Sequence, residues 1–422
     1  MANNTDSNIT LKVAKGFLKG FESNVVLLKT VDTQKLETAG LGTPDFGETM
    51  KFKRPMQYRS KKTAGGDISA GPRQDIVMGN ATGTVQSVYT VDVEWGILEE
   101  ALRLNELDAA LEPIASQIIT DIETDLGTFM ITNSGLTYGT PGVAVTAWDH
   151  VAGAGALMNS IGVMGEKNYV MNPFSQTNLA KLSNGLASGA PNLVTNAWEE
   201  AQISTKFGGL RALSSNALSS YTSGTATDRV GTLSATPTAT YASVKDSYLQ
   251  NWALTGLSAT GTITSGEVIE VTGRYYINMK TRKVVMGANG LPIPVRGTVV
   301  VGGTAVAGAL TVTVAPAMIF EANGQYNNVS SALTSGDVIT ILGSASTEYQ
   351  PNLFYSKAAF GVGFVKLPKL YSTDTIFTTK DGVSMRICRY ADGDRNRNVV
   401  RFDALPAFAC FNPLMAGRGW GV

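Results

Sequence analysis

From residue 222 to residue 346 the chain shows no long helical period, and this limits the fold more than any other feature of the sequence. Thr, Ser, Gly and Val dominate the stretch, and strand candidates at 267–272, 298–301, 310–314 and 338–342 are separated by glycine-containing turns. A segment of this kind reads as an all-β module, a sandwich or a barrel. The segments on either side mix strand and helix patterns and look like one α/β domain, so the β module is expected to be inserted into it. Hydrophobic residues are 43% of the 422, enough for a sizeable core. Charged residues are only 16%, against about 25% in ordinary domains, and 34 Lys+Arg balance 34 Asp+Glu. A chain so weakly charged is poorly protected from self-association, which points to association as its working state. Zero net charge also argues against a general nucleic-acid binder.

Ahead of the β module, residues 8–27 read as an amphipathic helix. Ile9, Val13, Phe17, Phe21 and Val25 recur every fourth position, Lys12, Lys15 and Lys19 lie off that stripe, and Ser7 or Asn8 can cap it. Such a helix is marginal in water until its stripe docks, either on its own domain or, as an arm, on another chain. Residues 47–95 read as β, with a polar, glycine-containing stretch at 60–71 between strands, hence a long hairpin. The strongest helical signal follows, from Leu107 through Ile114, Ile118, Ile122, Leu126 and Phe129. Pro113 fits best in a first turn, which would start the main run near Glu112. Helices are expected at 148–161 and 175–186, a proline-stopped strand at Tyr169-Val170-Met171-Asn172-Pro173, and strands at 358–365 and 384–390.

Catalytic chemistry is poorly supplied. His150 is the single histidine, and Cys388 and Cys410 are the only cysteines, so triads, zinc clusters and disulfide scaffolds lack their raw material. Gly153-Ala154-Gly155 lacks the third glycine of a dinucleotide fingerprint, because Met158 occupies that position. Glu99-Glu100 and Glu199-Glu200 point to different faces of their helices and read as solvated. The polar first ten residues lack a signal-peptide core, and no run of about 18 apolar residues occurs, so a soluble intracellular product without cofactor or metal is expected. Arg386, Arg389, Arg395, Arg397 and Arg401, against Asp392 and Asp394, read either as a solvated, locally paired cluster or as a subunit contact.

The charges are segregated. Residues 51–73 hold seven cations, Lys51, Lys53, Arg54, Arg59, Lys61, Lys62 and Arg73, against Asp67 alone. Residues 75–125 hold eleven acids, among them Glu106, Glu112, Asp121 and Glu123, against Arg103 alone. A basic hairpin thus precedes an acidic helix. Either both are solvated faces, or the two meet between chains, because a projecting tip does not easily fold back on its own helix.

The order of parts resembles the major capsid proteins of tailed phages with the Hong Kong 97 fold, most of all the phage P-22 coat protein family. Ile9-Thr10-Leu11-Lys12-Val13-Ala14 resembles the start of that family's arm, and the run from Asn105 through Pro113 to Ala115 resembles the start of its spine helix. Tyr169-Val170-Met171-Asn172-Pro173 resembles a strand of the axial domain. Phe207-Gly208-Gly209-Leu210 resembles the turn before the insertion, and the run from Asn352 to Phe360 the return strand. The departure lies in 222–245, where Thr and Ser replace a more charged stretch.

The resemblance implies an α+β, Hong Kong 97-like fold with a barrel-like inserted β domain. Its parts would be an arm at 1–33, an extended hairpin or E-loop at 34–85, and a peripheral domain with the spine helix at 86–135. An axial domain would follow at 136–221, then the insertion at 222–346, the axial return at 347–385 and the C-terminal strands at 386–422. It further implies an icosahedral shell around a double-stranded DNA genome, built from hexamers and pentamers with a scaffolding protein and a portal at one vertex, in the cytoplasm of a host bacterium. The packaged DNA would be enclosed without sequence-specific recognition, and no membrane is involved. Two other classes remain: a tail or adhesin-like structural protein, which would form tubes or fibres, and a hydrolase with a β accessory domain, whose activity would depend on His150.

Overall fold

A computed structural model of the chain describes residues 26–33, 49–54, 56–60, 62–69, 73–96, 107–181, 206–371, 375–378, 384–392, 395 and 397–422. The expected helix at 8–27 lies outside them up to residue 25, as do 97–106, 182–205 and Lys61. The chain divides into two compact units. One takes Met1–Phe52, Thr82–Gly127 and Phe360–Ala409, the other Lys53–Ala81, Thr128–Ala359 and Cys410–Val422.

The long helix runs Leu107–Asn133 and so passes through Pro113 rather than starting beside it. Proline there removes one backbone bond and costs about 3 kcal/mol. Against this stand the buried side chains of Ile118, Ile119, Ile122, Leu126, Met130 and Ile131, each worth about 1.5–3 kcal/mol. Burial outweighs the local breaker.

In the first unit a four-stranded antiparallel sheet takes the order Thr375–Thr378, Ser384–Asp392, Arg397–Ala404, Tyr89–Gly96. Met385, Ile387, Val400, Phe402 and Ala404 are buried. Of the arginine cluster, Arg386 and Arg401 both close on Asp403, and Arg397 pairs with Glu94 across the sheet. Asp403 faces Arg386 across the sheet and lies two residues from Arg401 on the same strand, while Asp394 and the Asp392 side chain lie outside what the structure describes. Gly83–Val85 pairs antiparallel with Ala407–Ala409 in a separate sheet.

The second unit holds a six-stranded mixed sheet in the order Leu136–Tyr138, Ala416–Gly419, Asn352–Ser356, Lys167–Met171, Leu210–Ser214, Lys206–Phe207. Helix Trp148–Ile161 has the expected bounds and contains Gly153 and Gly155 in mid-helix, where no phosphate loop can form. Asn172 caps the helix Pro173–Ala180 by accepting the Phe174 amide at 2.9 Å, with Pro173 preset for the first turn. Between Leu210–Ser214 and Asn352–Ser356 lies a closed six-stranded barrel: Gln250–Thr255, Leu310–Ala315, Pro294–Val301, Val268–Tyr275, Val338–Ile341 and Val230–Leu233.

Four of these strands coincide with the expected runs; Val230–Leu233 and Gln250–Thr255 do not announce themselves. Trp252 fills the interior and donates its indole N–H to Gln250 at 2.9 Å. Gly297 makes room for it, since a Cβ there would lie 2.2 Å from a Val314 methyl and 3.3 Å from the Trp252 ring. One apolar core joins barrel and sheet, running from Leu136, Val151 and Tyr169 through Trp252 and Val314 to Phe354 and Leu414.

Candidate functional site: the basic loop and its seat

The loop of residues 53–81 lies in the second unit and is fixed at its base by an unusual arginine. Arg54 is only 6% exposed. Its guanidinium donates to the Phe411 carbonyl and, at 3.0 Å, to the Asp246 carbonyl, and it lies 4.6 Å from the centre of the Tyr248 ring. Burial lowers its pKa, with nearby Cys410, tyrosines and Asp246 opposing. The same burial pushes the Tyr248 hydroxyl up to about 12. A buried cation held by carbonyls and a ring face is a fixed structural contact, so Arg54 leaves the set of cations available to a second chain.

The rest of the seat is built from connections between the barrel strands, 234–249 and 316–337. Tyr241 stacks on Tyr326 at 3.5 Å between ring centroids, and Val77 packs against this group. The Tyr326 hydroxyl donates to the Val77 carbonyl at 3.0 Å, the Gln325 amide to the Asp75 carbonyl at 3.0 Å, and Arg59 to the Asn323 side chain at 2.8 Å. The Asp246 carboxylate accepts the Asn80 amide at 2.9 Å. Gly79 is required by close approach, since a Cβ there would stand 2.3 Å from the Lys245 carbonyl oxygen.

The expected outward projection is therefore only part of the picture: the loop returns along its own barrel flank. Arg59, Lys62 and Arg73 remain exposed around a cleft of about 600 Å³ whose other wall includes Tyr241, Glu321 and Tyr326. Lys51 and Lys53 are described by backbone alone.

The acidic set divides similarly. Asp121 is half-buried and accepts from Gln117 at 2.9 Å. Glu123 is 3% exposed and accepts the backbone amides of Val26, Leu27 and Leu28, so it too leaves the proposed pairing. Glu112 is described by backbone alone, and Glu106, Phe17 and Phe21 lie outside the described residues. Asp125, which the pairing did not use, accepts from the Tyr89 hydroxyl.

Among the described residues no group of three or more His, Cys, Asp or Glu could hold a metal, and no helix is long and apolar enough to cross a membrane. His150 is buried and accepts the Thr146 amide at 3.3 Å, a local turn contact. Cys388 is buried, and burial pushes the Cys410 thiol up to about 12, far from a reactive thiolate.

The chain matches the family described as P22 coat protein, gene protein 5, over residues 1–421. It is 41% identical over 426 residues to the major capsid protein of Acyrthosiphon pisum secondary endosymbiont phage 1, covering 100% of both chains. Among solved structures, a chain of Mycobacterium phage Che8 aligns with a TM-score of 0.46 at 11% identity, over 94% of this chain and 91% of that one. The capsid of Ralstonia phage GP4 aligns with a TM-score of 0.41 at 9% identity, over 95% and 94%.

The full-length family match and the full-length relative define the class, a structural subunit that assembles with its own copies into a phage shell. The chain belongs to the P22 coat protein family and is a phage major capsid protein, with its place in the virion capsid.

Proposed function

We propose that the shell is icosahedral, with hexamers and pentamers of this chain as its capsomers, and that it is assembled in the host bacterial cytoplasm with a scaffolding protein and one portal vertex. It encloses double-stranded DNA without reading its sequence, and the protein performs no catalysis. The architecture is of the Hong Kong 97 type. Residues 1–33 act as an arm, 34–85 as the extended hairpin, 86–135 as the peripheral region with its spine helix, and 136–221 with 347–385 as the axial domain. Residues 222–346 are the inserted β domain, and 386–422 complete the core.

The interface reading is that the exposed cations of the hairpin, Arg59, Lys62 and Arg73 together with Lys51, Lys53 and Lys61, face Glu106, Glu112 and Asp121 of an adjacent subunit. The observation that carries it is the contrast within the loop: Arg54 is consumed by its own chain, while Arg59, Lys62 and Arg73 keep exposed charge around the cleft. Phe17 and Phe21 would bury the arm's stripe on a neighbour. Each exposed pair contributes about 0–1 kcal/mol, so the effect is collective and sets register rather than strength. Arg59, Lys61 and Lys62 reversed to Glu should block assembly while the monomer stays folded, and Glu112 and Asp121 reversed to Lys in the same chain should restore shells in part. Normal shells from the hairpin reversal, seen by electron microscopy, would remove the pairing.

A further inference from the structure

Glu123 occupies the buried side of the long helix, among Ile119, Ile122 and Leu126, all essentially without exposed surface. A carboxylate in such a place is costly unless donors surround it. Burial raises its pKa, while three backbone amides and the charge of Lys29 act against that rise. The amides are those of Val26 and Leu27, both at 2.7 Å, and Leu28 at 3.3 Å, all directed at one carboxylate oxygen.

These amides open the short helix Leu27–Thr30, whose cap position is Val26, a residue with no side-chain acceptor. First-turn amides have no partner inside a helix, and four residues are too few to hold a helix alone. The need is mutual: the carboxylate lacks water, the amides lack an acceptor, and the two lie about a hundred positions apart in the sequence. Leu27, Leu28 and Val31 are buried, and the next residue, Asp32, bridges to Gly361, its amide donating to the Phe360 carbonyl at 3.1 Å. Upstream of this doubly held stretch lies the segment with the Phe17 and Phe21 stripe.

We propose that Glu123 is the anchor of the amino-terminal arm: its grip on three successive amides holds residues 26–28 at the arm's root, and losing it frees that root without unfolding the unit. This rests on the reading of residues 1–33 as an arm. Glu123 is a positioning residue, acting through the backbone it holds.

Hydrogen exchange on the full chain tests it. Glu123→Ala should reduce protection of the Val26, Leu27 and Leu28 amides by at least about tenfold, the worth of one bond to a charged group. Strands Tyr89–Gly96 and Arg397–Ala404, in the same unit, should keep their protection. Glu123→Gln, which retains an oxygen at the same reach, should restore most of it, and Glu123→Asp, one methylene short, should not.

Unchanged exchange at 26–28 in Glu123→Ala overturns the proposal, as does parallel loss of protection in those strands, which would make Glu123 an ordinary core group. Should Glu123→Ala fail to fold, the Gln and Asp variants decide, and equal protection in the two overturns it. Deleting residues 1–20 tests the arm separately. If shells then form normally while Glu123→Ala still loosens 26–28, the arm reading falls and the grip on the amides stands.

Discussion

Asp403 shows how a buried charge is tolerated in this chain. Its side chain has no exposed surface, yet it receives Arg386 at 2.6 and 3.1 Å, Arg401 at 2.7 Å and the Thr90 hydroxyl at 2.7 Å. Burial alone would raise its pKa, but these donors outweigh burial and hold the carboxyl below its usual 3.8. A depressed folded value means that the unfolded chain takes up its proton first as the solution is acidified. The contribution is therefore complete at neutral pH and is lost as pH falls below about 4 through the folded value. Asp403→Asn should lose about 3–5 kcal/mol at pH 7, because two guanidinium groups are left facing a neutral amide. The gap to the unmodified protein should close in acid, as urea midpoints measured from pH 7 to pH 3 would show. A gap independent of pH would mean that shape, not charge, is what the site requires. Glu123 runs the other way: its raised value means that its contribution declines as pH rises above the ordinary 4.5.

At the scale of elements, the loop of residues 53–81 is held by the side chains of its seat and, at Gly79, by a close approach of backbone to backbone. Gly79→Ala would drive a methyl into the Lys245 carbonyl and should cost about 1–3 kcal/mol, with the tyrosine group of 241, 248 and 326 losing its ordered packing. Near-ultraviolet circular dichroism and a thermal midpoint would register both; an unchanged midpoint would mean that the loop seat gives way freely. This seat was not legible in the sequence, for a physical reason. Arg54 stands in the alternating run Lys51-Phe52-Lys53-Arg54, where charge suggests solvent, and its partners Asp246, Tyr248 and Phe411 are brought to it only by folding. Helix Trp148–Ile161, by contrast, was legible to the residue because its signal is local periodicity and its end is the left-handed Gly162. Barrel strands Val230–Leu233 and Gln250–Thr255 escaped notice because small and polar residues interrupt them, and closure is a property of pairings far apart in sequence. The inward position of Glu123 is hidden for a related reason: net charge along a helix says nothing of which acids face inward.

For the second unit as a whole, the question is whether the barrel is a separate module or part of one cooperative body. The composition of residues 222–346 leads to the expectation of an inserted β module. The core argues for coupling beyond that, since it runs without a break from the sheet residues Tyr169 and Phe354 to the barrel residues Trp252 and Ile339. Polar contacts reinforce it. Arg418, on the last sheet strand and fully buried, reaches the Gly266 carbonyl and the Thr298 hydroxyl of the barrel, with its guanidinium 5.6 Å from the centre of the Tyr221 ring. Tyr276 in turn bonds the Arg296 carbonyl at 2.7 Å, and Arg296 reaches the carbonyls of Thr137 and Gly139 at 3.2 Å. Removing Trp252 should therefore be felt in the sheet. Trp252→Ala should cost about 3–5 kcal/mol, and the loss should lower hydrogen-exchange protection of the Lys167–Met171 amides together with that of the barrel strands. Residues 222–346 expressed alone should give a β-type spectrum and a cooperative transition, but at a lower midpoint than the same strands show in the full chain, because the contacts of Arg418 and of the sheet are gone. If Trp252→Ala loosens only the barrel and the isolated segment melts where the full chain does, the shared core is contact without coupling, and the barrel is an independent module carried by the sheet.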